Sequence, residues 1–105
     1  MELNLTKAVA AARRRNLRYR ILAVADSARD EGVDEPLFVR VLNDLEFEVT
    51  VPELRKEAAF LVGKNFLTVT KFNLTQFYKI TALGVELLEG DIPCPASINH
   101  PGEYY

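Results

Sequence analysis

The chain reads as α+β and mainly α: three helices, a two-stranded hairpin and a closing helix, followed by an extended C-terminal tail. Three observations predict it. Apolar residues recur at helical spacing in three successive segments. Two runs rich in β-branched and aromatic residues, "FLTVTK" and "QFYKI", are separated only by a turn-length gap near Phe72 to Thr75. Finally, "YKITALGVELLEG", Tyr78 to Gly90, passes from strand-favouring residues through one threonine into an apolar helix that stops at glycine.

The first helix spans about Thr6 to Glu31. Leu17, Ile21, Val24 and Ala28 recur at i, i+4, i+7 and i+11, Leu22 and Ala25 widen the stripe, and Gly32 supplies a stop. The preceding "TKAVAAARRRN" is built of good helix formers and either extends this helix or forms a separate basic arm over residues 1–15. The second helix opens at "DEPLF", with Asp34 as N-cap, Glu35 complementing the helix dipole and Pro36 in the first turn. Its expected stripe is Leu37, Val41, Leu42 and Leu45, ending near Phe47. The third opens at "TVPE", where Thr50 and Glu53 have capping-box spacing, and ends around Gly63 to Asn65. Its expected inner face is Val51, Leu54, Ala58, Leu61 and Val62; its expected outer face is Glu53, Lys56, Glu57, Phe60 and Lys64.

In the hairpin, Leu67 and Val69 alternate with Thr68 and Thr70, and Tyr78 and Ile80 with Phe77 and Lys79, giving one face for a core and one for solvent or a partner. Thr81 is a cap placed directly after a strand, which removes the need for a loop. Leu83, Leu87 and Leu88 then point to the core and Gly90 ends the helix. "DIPCPASINHPGEYY" has three of the five prolines and no periodicity, and reads as a tail over residues 91–105 after a domain over 16–90.

Composition narrows the function. The hydrophobic share of 49% and charged share of 27% are those of a globular domain. The N-terminus has no apolar signal core and no run approaches the roughly 18 apolar residues of a membrane span, which points to a cytoplasmic protein with no membrane partner. His100 is the only histidine and Cys94 the only cysteine. No histidine relay or multi-histidine metal site can be assembled from one imidazole, and no phosphate-cradling glycine loop is present. The chain is therefore read as not an enzyme, with no cofactor and no metal. Charge is segregated: six bases and no acid lie between Leu3 and Ala25, two bases face eight acids from Asp26 to Val49, and five bases outnumber two acids from Thr50 to Ile80. Local basic fields of this kind can guide an anionic partner even when the net charge is −2.

From Leu17 to Gly90 the element order resembles a winged helix-turn-helix domain. "LRKEAAFLVGKNFLTV" is similar to a recognition helix running into the first wing strand, where bacterial winged-helix repressors often carry L-x-x-L-x-x-x-G-L-[VI]. "YKITALGVELL" is similar to the second wing strand and closing helix, with I/L-T-x-x-G at Ile80, Thr81 and Gly84. Asn65-Phe66 departs from the glycine that commonly precedes the strand. "R-x-x-I-L" at Arg18, Ile21 and Leu22, and the ending "LLEGDIPCPA", resemble the small winged-helix proteins of Mu-like phages and prophages.

The resemblance implies a transcription regulator that contacts double-stranded DNA with its third helix in the major groove and its wing on an adjacent groove or backbone. Here that implies Thr50, Arg55, Lys56 and Lys64 from the helix region, Lys71, Asn73 and Lys79 from the wing, and Arg13, Arg14 and Arg15 as a backbone clamp or minor-groove arm. Arg55 is long enough to seek a guanine edge. A homodimer, with contacts from the long first helix or Tyr104-Tyr105, would match a palindromic operator. The alternative is a winged-helix protein-interaction module that meets a phage or host protein through the Phe60 face, because that face sums to near neutrality and centres on an aromatic ring.

Overall fold

The computed structural model describes residues 5–99 as four helices and a three-stranded antiparallel sheet. The alanine- and arginine-rich segment joins the apolar stripe behind it in one helix, α1, Leu5–Ser27. Leu17, Ile21, Leu22, Val24 and Ala25 are its buried residues, so the second half of α1 forms the floor of the core. After Gly32, at φ 77°, comes a two-residue strand, β1 (Val33–Asp34), which the sequence did not announce because two residues carry no periodicity.

Asp34 accepts a hydrogen bond from Leu37 N at 2.9 Å and caps α2, Glu35–Asp44. The buried apolar residues of α2 are Phe38 and Leu42, whereas Leu37 and Leu45 are about half exposed, which corrects the expected stripe. The Phe38 ring packs edge-on against Tyr78, centroids 5.5 Å apart, and fixes the helix phase that turns Leu37 outward. The helix stops at Asp44, not near Phe47: Glu46 takes φ 64°, Phe47 N donates to Leu42 O and Glu46 N to Asn43 O, both at 2.9 Å, a Schellman ending.

α3 (Val51–Gly63) is capped by Thr50, whose hydroxyl accepts from Glu53 N at 3.3 Å, and buries Leu54, Ala58 and Leu61. Its ending resolves the missing glycine. Asn65 adopts φ 67°, a conformation asparagine tolerates, while Phe66 N donates to Leu61 O at 3.0 Å. Phe66 and Leu61 are both buried, the apolar contact that accompanies this motif.

β2 (Leu67–Phe72) and β3 (Thr75–Ile80) form the hairpin, and β3 is the central strand, in the order β1-β3-β2. Leu67 opposite Ile80, Val69 opposite Tyr78 and Lys71 opposite Gln76 share one face. Leu67, Tyr78 and Ile80 are buried, but Val69 is exposed, contrary to expectation, because the hairpin leaves the core after its first residue pairs. Asn73 (φ 48°) and Leu74 (φ 68°) make the two-residue turn, with positive φ at both positions as a type I′ turn requires.

Thr81 ties the pieces together. Its hydroxyl donates to Asn65 O at 2.7 Å and accepts from Gly84 N at 3.0 Å, and its N–H donates to Phe66 O at 3.1 Å. The helix that follows, α4 (Ala82–Glu89), buries Gly84 and Leu87, while Leu83 faces solvent rather than the core. At Gly84 a Cβ would lie 2.4 Å from Phe66 O and 2.7 Å from Ile80 Cγ1, so the glycine of the I-T-x-x-G pattern is where α4 crosses the α3–β2 turn.

The segment after α4 has no regular secondary structure, yet it is not a free tail. Ile98 is buried in the core and Ile92 and Cys94 pack against it. Ser97 O accepts from Arg18 Nη1 at 2.9 Å, and Asn99 N donates to Arg15 O at 3.3 Å. A strap that seats one side chain at a time leaves no repeat for a periodicity search to find. His100, Tyr104 and Tyr105 lie outside the described residues.

The Gly84 contact gives a sharp expectation. Alanine normally favours a helix over glycine by about 1 kcal/mol. Gly84→Ala is nevertheless expected to destabilise by about 1–3 kcal/mol in urea unfolding, because its methyl group must displace backbone. A gain in stability would refute the close crossing.

Candidate nucleic-acid interface

Both acids of α3 are met by arginines of α1. Glu57, expected to face outward, is buried: Arg18 Nε of α1 donates to its Oε1 at 2.8 Å. The same guanidinium lies 3.6 Å from the centroid of Phe60, which is half-buried beneath it. One turn earlier, Arg13 pairs with Glu53, donates to Glu48 O and stands 5.0 Å from the Phe47 ring. Both α3 acids are thus turned to α1 and met by arginine. The exposed residues of α3 are Pro52, Arg55, Lys56, Ala59 and Gly63, with Lys64 as C-cap, and no acid is among them.

Arg55 has a partner of its own. Its Nε donates to Glu35 Oε2 at 2.9 Å and its Nη2 to Glu35 Oε1 at 2.8 Å, a bidentate fork. Glu35 is buried at the start of α2 and also accepts from the Tyr78 hydroxyl at 2.8 Å. The Tyr78 oxygen in turn stands 2.8 Å from the side-chain amide of Gln76. Hydrogen bonding from Arg55 holds the Glu35 carboxyl below its ordinary value of 4.5; burial opposes this and the Tyr78 hydroxyl assists it. Burial first, then the Glu35 carboxylate, raises the Tyr78 phenol above its ordinary value. One carboxylate therefore joins α2, α3 and β3.

The residues implied by the resemblance separate into groups. Arg14 and Lys56 are exposed and line, with Arg13, Glu53 and Glu57, one groove of about 390 Å³ between α1 and the start of α3. Lys64 is exposed at the far end of the helix, its Nζ 5.6 Å from the Phe60 centroid. Lys71 is exposed on the hairpin face that carries Tyr78, the face joined to α3 through Glu35. Lys79 pairs with Thr68 on the opposite face, beside Glu31, Gly32 and Phe77, so the two hairpin lysines do not share a surface. Asn73 shapes the turn and Thr50 caps α3. Arg13 is occupied by Glu53 and Glu48, and Arg15 is half-buried with its carbonyl held by Asn99.

Sequence reasoning missed Arg18, Glu35, Tyr78 and Gln76 as site residues. Glu35 was read only as a dipole partner, because its contacts lie 20 and 43 residues away. A tyrosine on the core face of a strand was the one available signal, since a buried hydroxyl needs a polar partner. Among the described residues no group of three His, Cys, Asp or Glu side chains comes together as a metal site, and no helix is long and apolar enough to cross a membrane. Comparison of the chain with protein-family models, curated proteins and solved structures gives no match.

The lowered Glu35 value sets a pH dependence. A carboxyl whose folded value lies below its unfolded one stabilises fully above the unfolded value, and that contribution is lost as pH falls through the folded value. Urea midpoints of the native protein are expected to fall as pH drops below about 4.5, more steeply than those of Glu35→Gln. Parallel pH profiles would contradict the assigned fork.

Proposed function

We propose that the chain is a winged-helix DNA-binding protein, a phage- or prophage-encoded transcription regulator that contacts duplex DNA through α3 and the β2–β3 hairpin. The observation that carries this reading is the pairing of both α3 acids with arginines of α1. Counted along the sequence, the helix looks nearly neutral. Once Glu53 and Glu57 are paired with α1, the exposed charges left on the helix are Arg55, itself paired with Glu35, and Lys56, with Lys64 at the C-cap near Phe60, Arg14 across the groove and Lys71 on the adjoining hairpin face. Lysine point charges on rigid elements suit a phosphate backbone. The phage assignment rests on the resemblance of "RYRIL" and "LLEGDIPCPA" to proteins of Mu-like phages.

The second reading is a protein-interaction module, and its supporting surface moves. Phe60 lies under Arg18, so it offers no open ring to a partner. The hairpin tip instead exposes Phe72 at 63% and Leu74 at 89%, apolar area of the kind that a protein partner covers.

Fluorescence anisotropy with duplex DNA separates the two. Binding is expected to weaken at least tenfold between roughly 50 and 200 mM salt, and Lys56→Glu with Lys71→Glu should lower the salt slope by about 2 while the fold persists. No binding at the lower salt would overturn the proposal. Unchanged binding by the double variant would place the DNA surface elsewhere.

A further inference from the structure

We propose that Glu35 is a positioning residue that aims Arg55 at a guanine edge in the major groove; this rests on the DNA-binding reading above. A guanidinium has five N–H donors. Glu35 takes the one on Nε and one on Nη2, at 2.9 and 2.8 Å, and so grips the group from the side. The two donors on Nη1 and the second on Nη2 remain, and among the described residues none of them meets an acceptor. The Arg55 side chain is 52% exposed, so its free end opens to solvent. Two parallel donors at the end of a guanidinium match the O6 and N7 acceptors of guanine.

The fork favours a base over a phosphate. Paired with a carboxylate, Arg55 is close to neutral as a unit and loses much of its attraction for an anion, while its donors keep their direction. A neutral acceptor pair such as a guanine edge needs direction and little net charge. Lys56 on α3 and Lys64 at its C-cap, exposed and compact point charges, are suited to the phosphates instead. The grip is also firm. Glu35 is 9% exposed at the side chain, sits at the start of α2 and is held from behind by the Tyr78 hydroxyl at 2.8 Å. An arginine fixed in this way loses little rotamer freedom on binding, the cost that otherwise dilutes a long exposed side chain. Arg55 also lies in the first half of α3, the half whose side chains meet base edges when a helix enters a major groove end-first.

The test is selection of duplexes from a randomised library with the full chain, followed by affinities for the selected duplex and for versions carrying adenine or 7-deazaguanine at each guanine. For the native protein, one guanine per bound site is expected to be worth roughly ten- to hundredfold in affinity. In Arg55→Lys and in Glu35→Gln the discrimination should fall to within about threefold while low-salt binding continues, since phosphate contacts by lysines are untouched. Tyr78→Phe, which removes one bond to the same carboxylate, should give an intermediate loss and serves if Glu35→Gln fails to fold. Lys56→Glu should weaken all duplexes alike and leave the guanine ratio in place. Full discrimination in Glu35→Gln, or selected sites with no Arg55-dependent guanine, would overturn the inference while salt-dependent binding kept the DNA reading standing. Absence of binding to any duplex would overturn both.

Discussion

The rotation of α3 about its own axis is decided by a buried pair between Arg18 and Glu57. A glutamate 5% exposed at its side chain is tolerated only if a cation meets it, and a long helix lying across α3 can deliver one. Arg18 does more than neutralise. Its guanidinium covers Phe60 and donates to Ser97 O, so one side chain joins α1, α3 and the C-terminal strap. Arg13 repeats the arrangement near the start of α3. Leu54, Ala58 and Leu61 set the apolar side of the helix, and the two arginines fix which polar residues are hidden beside it.

A second polar junction couples the elements that the proposed interface uses. Tyr78 on β3 reaches the Glu35 carboxylate on α2, which grips Arg55 on α3, while the Tyr78 ring packs on Phe38. Such a network constrains geometry strongly, because each member is costly to leave unpaired. The hairpin is thereby tied to the helix beside it at its base, although most of β2 projects into solvent. Its tip is held by a turn that accepts positive φ at both Asn73 and Leu74.

Much of this was legible in the sequence, and the misses have physical reasons. Caps at Asp34, Thr50 and Thr81 and the stop at Gly90 are local hydrogen-bonding devices, so short windows contain them. The α1 stripe repeats often enough to define a phase. α2 is short, with Phe38 beside Leu37 and Leu42 beside Val41, and its phase was settled by a ring on another element. Leu83 and Val69 were misplaced for a related reason: alternation says which face a residue takes, not how far the core extends beneath it. Glu57 and Glu35 were misread because charge at a sequence position says nothing about a partner tens of residues away. The strap ending in Ile98 and Asn99 had no repeat at all.

The most direct measurement of the central claim is a double-mutant cycle on Arg18 and Glu57, using Arg18→Met, Glu57→Gln and the double variant in urea unfolding. A coupling on the order of 1–3 kcal/mol in favour of the native pair is expected if these buried groups hold α3 in its orientation. Additive losses, with no coupling beyond error, would mean that Glu57 is not held by α1 and would contradict this account of how α3 is oriented.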